Sequence, residues 1–168
     1  MVKGLKQTSS LIQISSAVTE SAANTFTTEQ IDLQLNPLDN EVFVVQAVDM
    51  DLEAPDLVPG TVTRTTLTVS STRRTTTGGI DNDNVVAAKR IETQEDGGAA
   101  VTNEYQAIDS PSTLLPYIAI LATNDYFLNI EGLANAGTKS GNVRVFGYRA
   151  KADSSVYSAL VQSEVLSA

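Results

Sequence analysis

Glu41-Val42-Phe43-Val44-Val45-Gln46-Ala47-Val48-Asp49 is the stretch on which the fold turns. Valines and a phenylalanine dominate it, the side chains that suit a pleated surface. The apolar run is nearly continuous rather than alternating, which predicts a strand buried on both faces. Before it, Asn36-Pro37-Leu38-Asp39-Asn40 is a turn, because Pro presets φ while Asn and Asp accept local backbone hydrogen bonds. Further upstream, Ile31-Asp32-Leu33-Gln34-Leu35 alternates apolar and polar and, with Phe26, marks a second strand region.

Downstream, Pro55 and Pro59-Gly60 bracket a loop. Residues 61–70 are β-branched almost throughout, as a half-wet sheet requires. Residues 75–84 form a long turn-rich loop, and further strands are expected at 85–91, 99–107, 117–121, 126–131 and 142–149. Only the tail reads as helical. Asp153 is its expected N-cap, and Tyr157, Leu160, Val161 and Val165 recur at helical spacing as a stripe that docks on the sheet.

About eight short strands separated by turn signals, with one short C-terminal helix, predict an all-β fold. The expected architecture is a two-sheet antiparallel sandwich. A jelly roll, two four-stranded sheets built from two Greek keys, is preferred to an immunoglobulin-like sandwich. Residues 1–24 are expected as an N-terminal arm or edge strand, 25–152 as the sandwich and 153–168 as the docked helix.

Chemistry is scarce in this composition. Among 168 residues there is no His, Cys or Trp. The chain thus lacks the side chain that titrates unperturbed near neutral pH and the most nucleophilic of the covalent catalysts. Disulfides are impossible, and the common zinc sites lose their usual ligands. The net charge of −9 disfavours a basic nucleic-acid face, and the doublets Arg73-Arg74 and Lys89-Arg90 do not amount to one. No stretch approaches the ~20 apolar residues of a membrane-spanning helix. Residues 1–6 carry the charge of a signal n-region, but Ser10–Ser15 is too short and polar to follow it, so no cleaved signal is expected. No Asn-x-Ser/Thr sequon occurs.

Three segments invite a sharper reading. Asp49-Met50-Asp51-Leu52-Glu53 and Asp81-Asn82-Asp83-Asn84 place oxygen ligands at alternate positions, and Glu92 stands at position twelve from Asp81. An EF-hand needs Gly at position six, where this chain has Val86, so Asx-rich turns are the expected explanation and no metal or other cofactor is expected. Gly137-Thr138-Lys139-Ser140-Gly141 lacks the spacing of a phosphate loop and is expected as a hairpin turn. A glycosidase-type carboxylate pair remains open to any acidic chain, but nothing singles one out. No enzyme activity is expected.

Asn124-Asp125-Tyr126-Phe127-Leu128-Asn129-Ile130-Glu131-Gly132 and, after a polar turn, Asn142-Val143-Arg144-Val145-Phe146-Gly147-Tyr148-Arg149 resemble the closing strands of single jelly-roll virion proteins. The resemblance implies a small capsid, decoration or spike-base subunit that assembles in symmetric multimers within a virion. It supplies no catalytic residue. The chain departs from many coat proteins in lacking a basic N-terminal arm, so direct charge neutralisation of a genome is not expected.

The leading expectation is a non-enzymatic subunit whose partners are copies of itself and other virion proteins. A carbohydrate-binding or adhesion module using residues 49–59 and 75–84 is the alternative, as is a strand-donating filament subunit. Candidate interface residues are Leu11, Ile12 and Ile14 in the N-terminal segment, and Leu114, Leu115 and Tyr117 in the apolar run that leads to Leu121.

Overall fold

The computed structural model describes residues 4–106 and 115–166. Its strands are β1 (Leu5–Gln7), β2 (Ile12–Thr19), β3 (Thr27–Asp32), β4 (Glu41–Leu52), β5 (Val62–Ser70), β6 (Val85–Glu95), β7 (Ala100–Gln106), β8 (Ala119–Leu121), β9 (Asp125–Leu133) and β10 (Ser140–Ala152), followed by α1 (Ser154–Leu166). All pairings are antiparallel. In the first sheet β10 lies between β4 and the collinear pair β1 and β2, with β8 outside β4; the second sheet runs β3-β9-β5-β6-β7.

Followed along the chain, β2, β4, β8 and β10 fall in one layer while β3, β5, β6 and β9 fall in the other. Among these eight strands the first pairs with the last, and every connection but that from β5 to its neighbour β6 crosses the sandwich, which is the order of a jelly roll. The strand count exceeds about eight for two reasons. β1 is too short for any periodicity to announce it, and β7, expected as a strand at 99–107, lies on the rim of the second sheet outside the eight strands of the jelly roll.

β4 explains why its sequence reads as apolar on both sides. Phe43, Val45, Val48, Met50 and Leu52 join Leu67, Leu128, Ile130 and Val145 in the core between the sheets. Val42 and Val44 face outward into a second cluster, where Val156, Tyr157, Leu160 and Val161 of α1 cover them. A bulge opposite Phe146/Gly147 switches the inward parity from odd to even along β4. Past that bulge the outward positions become Ala47, Asp49 and Asp51, beyond the cover of the helix.

Three expectations need correction. The strand expected to reach Leu35 stops at Asp32, because Gln34 adopts a left-handed φ of 53° and turns the chain. Leu33 and Leu35 remain buried as loop residues, held by Asn124 through its backbone oxygen and its side-chain Oδ1. Second, residues 134–139 form no hairpin: β9 and β10 lie in different sheets, so this segment crosses the end of the sandwich. Third, the docking stripe of α1 excludes Val165, which is 65 % exposed; Glu164 is buried instead. The N-cap stands as expected, with Oδ1 of Asp153 accepting the Val156 N–H at 2.9 Å.

Candidate functional site

Ile12 and Ile14 pack on the main core from β2, and Tyr117 packs in the cluster beneath α1. Leu11 and Leu115 are each about 60 % exposed. They lie near opposite edges of the first sheet, with β10 and β4 between β2 and β8, so the structure does not bring them together. Leu114 lies outside the described residues.

The first acidic segment is not a loop: Asp49 and Asp51 belong to β4, opposite Arg144 and Asn142 of β10. Alternate positions of a strand share one face, which is why the pattern looked like ligand spacing. In the second, Asn82 donates to Gly79 O and Asp81 Oδ1, while Asn84 Oδ1 accepts from Arg74 at 2.6 Å. Glu92 is set apart on β6. Among the described residues no three acidic side chains converge as a metal shell.

A more accessible site lies at the β6–β7 hairpin. Every residue of β7 is exposed, on both faces. Its inner edge pairs with β6 in a regular register from Lys89↔Gln106 to Glu95↔Ala100. Glu95 donates its N–H to Thr61 O on the β5 side, and Asp96 N–H closes the turn on Ala99 O. With alternation along an antiparallel ladder, Val101, Asn103 and Tyr105 bond into β6, while Thr102 and Glu104 turn N–H and C=O to the open side. Among the described residues no strand pairs with that side.

Beside this edge, a groove of about 710 Å³ crosses the outer face of the sheet under Thr77–Ile80. Arg64, Arg90 and Tyr105 line it, and the Arg90 guanidinium sits 4.4 Å from the Tyr105 ring centre. Lys89 also borders the groove but reaches Glu104 at 2.7 Å and Met50 O at 3.4 Å. The Lys89-Arg90 doublet is thus divided because neighbours on a strand point to opposite faces. Sequence reasoning weighed Arg90 only as half of a basic doublet and passed over Val101 and Tyr105; the one available signal was a short strand, with Gly97-Gly98 before it, that lacks a buried side.

At the end of the sandwich a different cluster locks the loops. Glu20 is buried and accepts from the backbone N–H groups of Thr25, Gly132 and Lys139. Lys139 lies 2.7 Å from Asp56 and 3.5 Å from Glu53. Hydrogen bonds from Lys139, Gly137 and Ala136 hold the Asp56 carboxyl below its ordinary range, and those from Ser140, with Lys139 nearby, do the same for Glu53. Each carboxylate is already committed to donors, so the cluster is a clamp rather than a reaction centre.

No protein-family model and no curated protein matches the chain. Among solved structures, a tailspike protein from Acinetobacter baumannii bacteriophage Fri1, a capsular polysaccharide depolymerase, is similar over 72 % of this chain and 20 % of its own length. The identity is 16 % and the TM-score 0.18. This chain therefore spans only a fifth of that protein.

Proposed function

We propose that the protein is a non-enzymatic structural subunit that assembles with copies of itself, as a capsid or decoration protein of a virion. The observation that carries this reading is β7, a seven-residue rim strand exposed on both faces, whose outer edge pairs with no strand among the described residues. Isolated domains blunt such edges with Lys, Pro or bulges, because an open edge templates pairing with another chain. β7 has none of these devices. The jelly-roll order and the poverty of reactive side chains support the same reading. Its partners are further copies and other virion proteins, with no direct contact to nucleic acid.

Light scattering over a concentration series, with electron microscopy of the same samples, tests the proposal. Discrete multimers, rings or particles are the expected outcome. A protein that stays monomeric at high concentration would refute it.

The groove supports a second reading, a carbohydrate-binding or adhesion module. Arg64 and Arg90 beside Tyr105 offer cationic and aromatic contacts to an acidic sugar. A glycan array decides this: a hit abolished by Arg90→Ala and retained by Asp81→Ala would place binding in the groove rather than in the acidic loop.

A further inference from the structure

We infer that β7 pairs with β7 of a second copy, antiparallel about a twofold axis at Asn103, joining two sheets into one. The inference rests on the reading of this protein as a self-assembling subunit and names the surface used. An antiparallel pair centred on Asn103 sets Val101 opposite Tyr105 twice, Thr102 opposite Glu104 twice, and Asn103 opposite itself. Thr102 and Glu104 are the residues whose backbone groups face the open edge, so the register that matches side chains also matches hydrogen bonds. Val101 and Tyr105 then meet at non-hydrogen-bonded positions, where side chains approach most closely. These are the exposed apolar residues of the strand, 57 % and 48 % accessible.

The self-complementary register selects a second copy, and charge selects this edge over the other rims. A chain of net charge −9 repels itself, so copies must meet where the charge is locally cancelled. Glu104 is the single formal charge on β7 and is paired with Lys89 of its own chain at 2.7 Å. In the proposed register the two Glu104 side chains are not opposite each other. The other rim of this sheet, β3, carries Glu29 and Asp32 with no ion pair among the described residues. β2 is uncharged, but its outward side chains are Gln13, Ser15, Ala17 and Thr19, which gain little by burial.

Asn103→Cys gives a direct test, because the chain has no cysteine of its own. Non-hydrogen-bonded partners stand about 4.5 Å apart at Cα, within the reach of a disulfide. Mild oxidation is expected to yield a disulfide-linked dimer far faster than for Leu38→Cys, a position 94 % exposed on a turn. In parallel, Thr102→Pro removes an N–H aimed at the open edge and leaves the backbone ladder with β6 intact, losing on that side the hydroxyl contact with Thr93 at 3.0 Å; it should weaken association at least about tenfold in sedimentation equilibrium. Circular dichroism confirms that this variant is folded; if it is not, the cysteine pair alone decides. If the wild type forms multimers while Asn103→Cys links no faster than Leu38→Cys, or folded Thr102→Pro associates normally, the β7 pairing is overturned and the assembly reading stands. A monomeric wild type overturns both.

Discussion

Lys139, with 5 % of its side chain exposed, sets Nζ 2.7 Å from Oδ1 of Asp56 across the end of the sandwich. The pair ties the segment between β9 and β10 to the one between β4 and β5, just where the chain crosses from one sheet to the other. Only the lysine of this pair is buried, so removing the aspartate leaves that cation with its desolvation penalty, whereas an apolar isostere of the lysine does not. Asp56→Ala is therefore expected to lower the thermal midpoint more than Lys139→Met, and Lys139→Ala to cost roughly 2 kcal/mol in lost bonding and stem packing. The two acids bound to Lys139 also set a pH window. Asp56 and Glu53 titrate below their ordinary values in the folded state. Their stabilisation is complete above the unfolded values and is lost as pH falls through the lowered ones, below about pH 4. Lys139→Met should flatten that acid limb in denaturant titrations at successive pH values.

Gly147 sits at the bulge between β10 and β4. A Cβ there would lie 2.4 Å from Val44 O and 2.5 Å from Phe43 Cε1, and neither a carbonyl oxygen nor a core ring can move aside cheaply. Gly147→Ala should destabilise the fold by about 2–4 kcal/mol in urea unfolding. Gly137, whose Cβ would meet nothing within 4 Å, is the control, and Gly137→Ala should leave the unfolding free energy within about 0.5 kcal/mol of wild type.

How far the fold was legible follows from the same residues. β4 announced its two buried faces because Val42 and Val44 must satisfy α1 while Phe43 and Val45 satisfy the core. The turn at Asn36–Asn40 was legible because its chemistry is local: Asn36 Oδ1 accepts from Leu38, and Asn40 takes a left-handed φ of 53°. What stayed hidden depends on partners distant in sequence. Gly-Thr-Lys-Ser-Gly has the composition of a hairpin, and only the pairing of β9 with β5 and of β10 with β4 shows that it spans two sheets. β7 was legible as a strand but not as a rim, since periodicity reports one wet face and cannot report two. The interface candidates were chosen for apolarity, which in Ile12 and Ile14 serves the core.

Leu67 measures how much the contact between the layers contributes. It is fully buried on β5, and its Cδ2 lies 2.8 Å from where a Cβ of Gly141 on β10 would stand. The two sheets approach closely there because one side is glycine. Leu67→Ala should cost about 2–5 kcal/mol, at the upper end if the rigid backbones prevent the cavity from collapsing. The change in the free energy of chemical unfolding, with an unchanged denaturant slope, is the measurement.

Glu164 is the buried acid of α1, and its carboxylate receives the N–H groups of Ala122 and Thr123 at 3.0 and 2.9 Å. It thereby fastens the helix to the segment just after β8, where the apolar stripe has run out. Glu164→Ala leaves those amides without this acceptor and should cost roughly 1–3 kcal/mol. Burial raises the carboxyl above its ordinary range, and the bonds from Ala122 and Thr123 only partly oppose it. A folded-state value above the unfolded one means that the native protein binds more protons in the interval between them. Stability from this group is then greatest below the unfolded value, near pH 4, and declines as pH rises through the raised one. The deficit of Glu164→Ala relative to wild type should accordingly be larger at pH 4 than at pH 7, opposite in sign to the effect of Lys139→Met. Paired denaturant unfolding curves at the two pH values separate the two trends; a deficit that grows toward pH 7 would show that the amide bonds outweigh burial at this carboxylate.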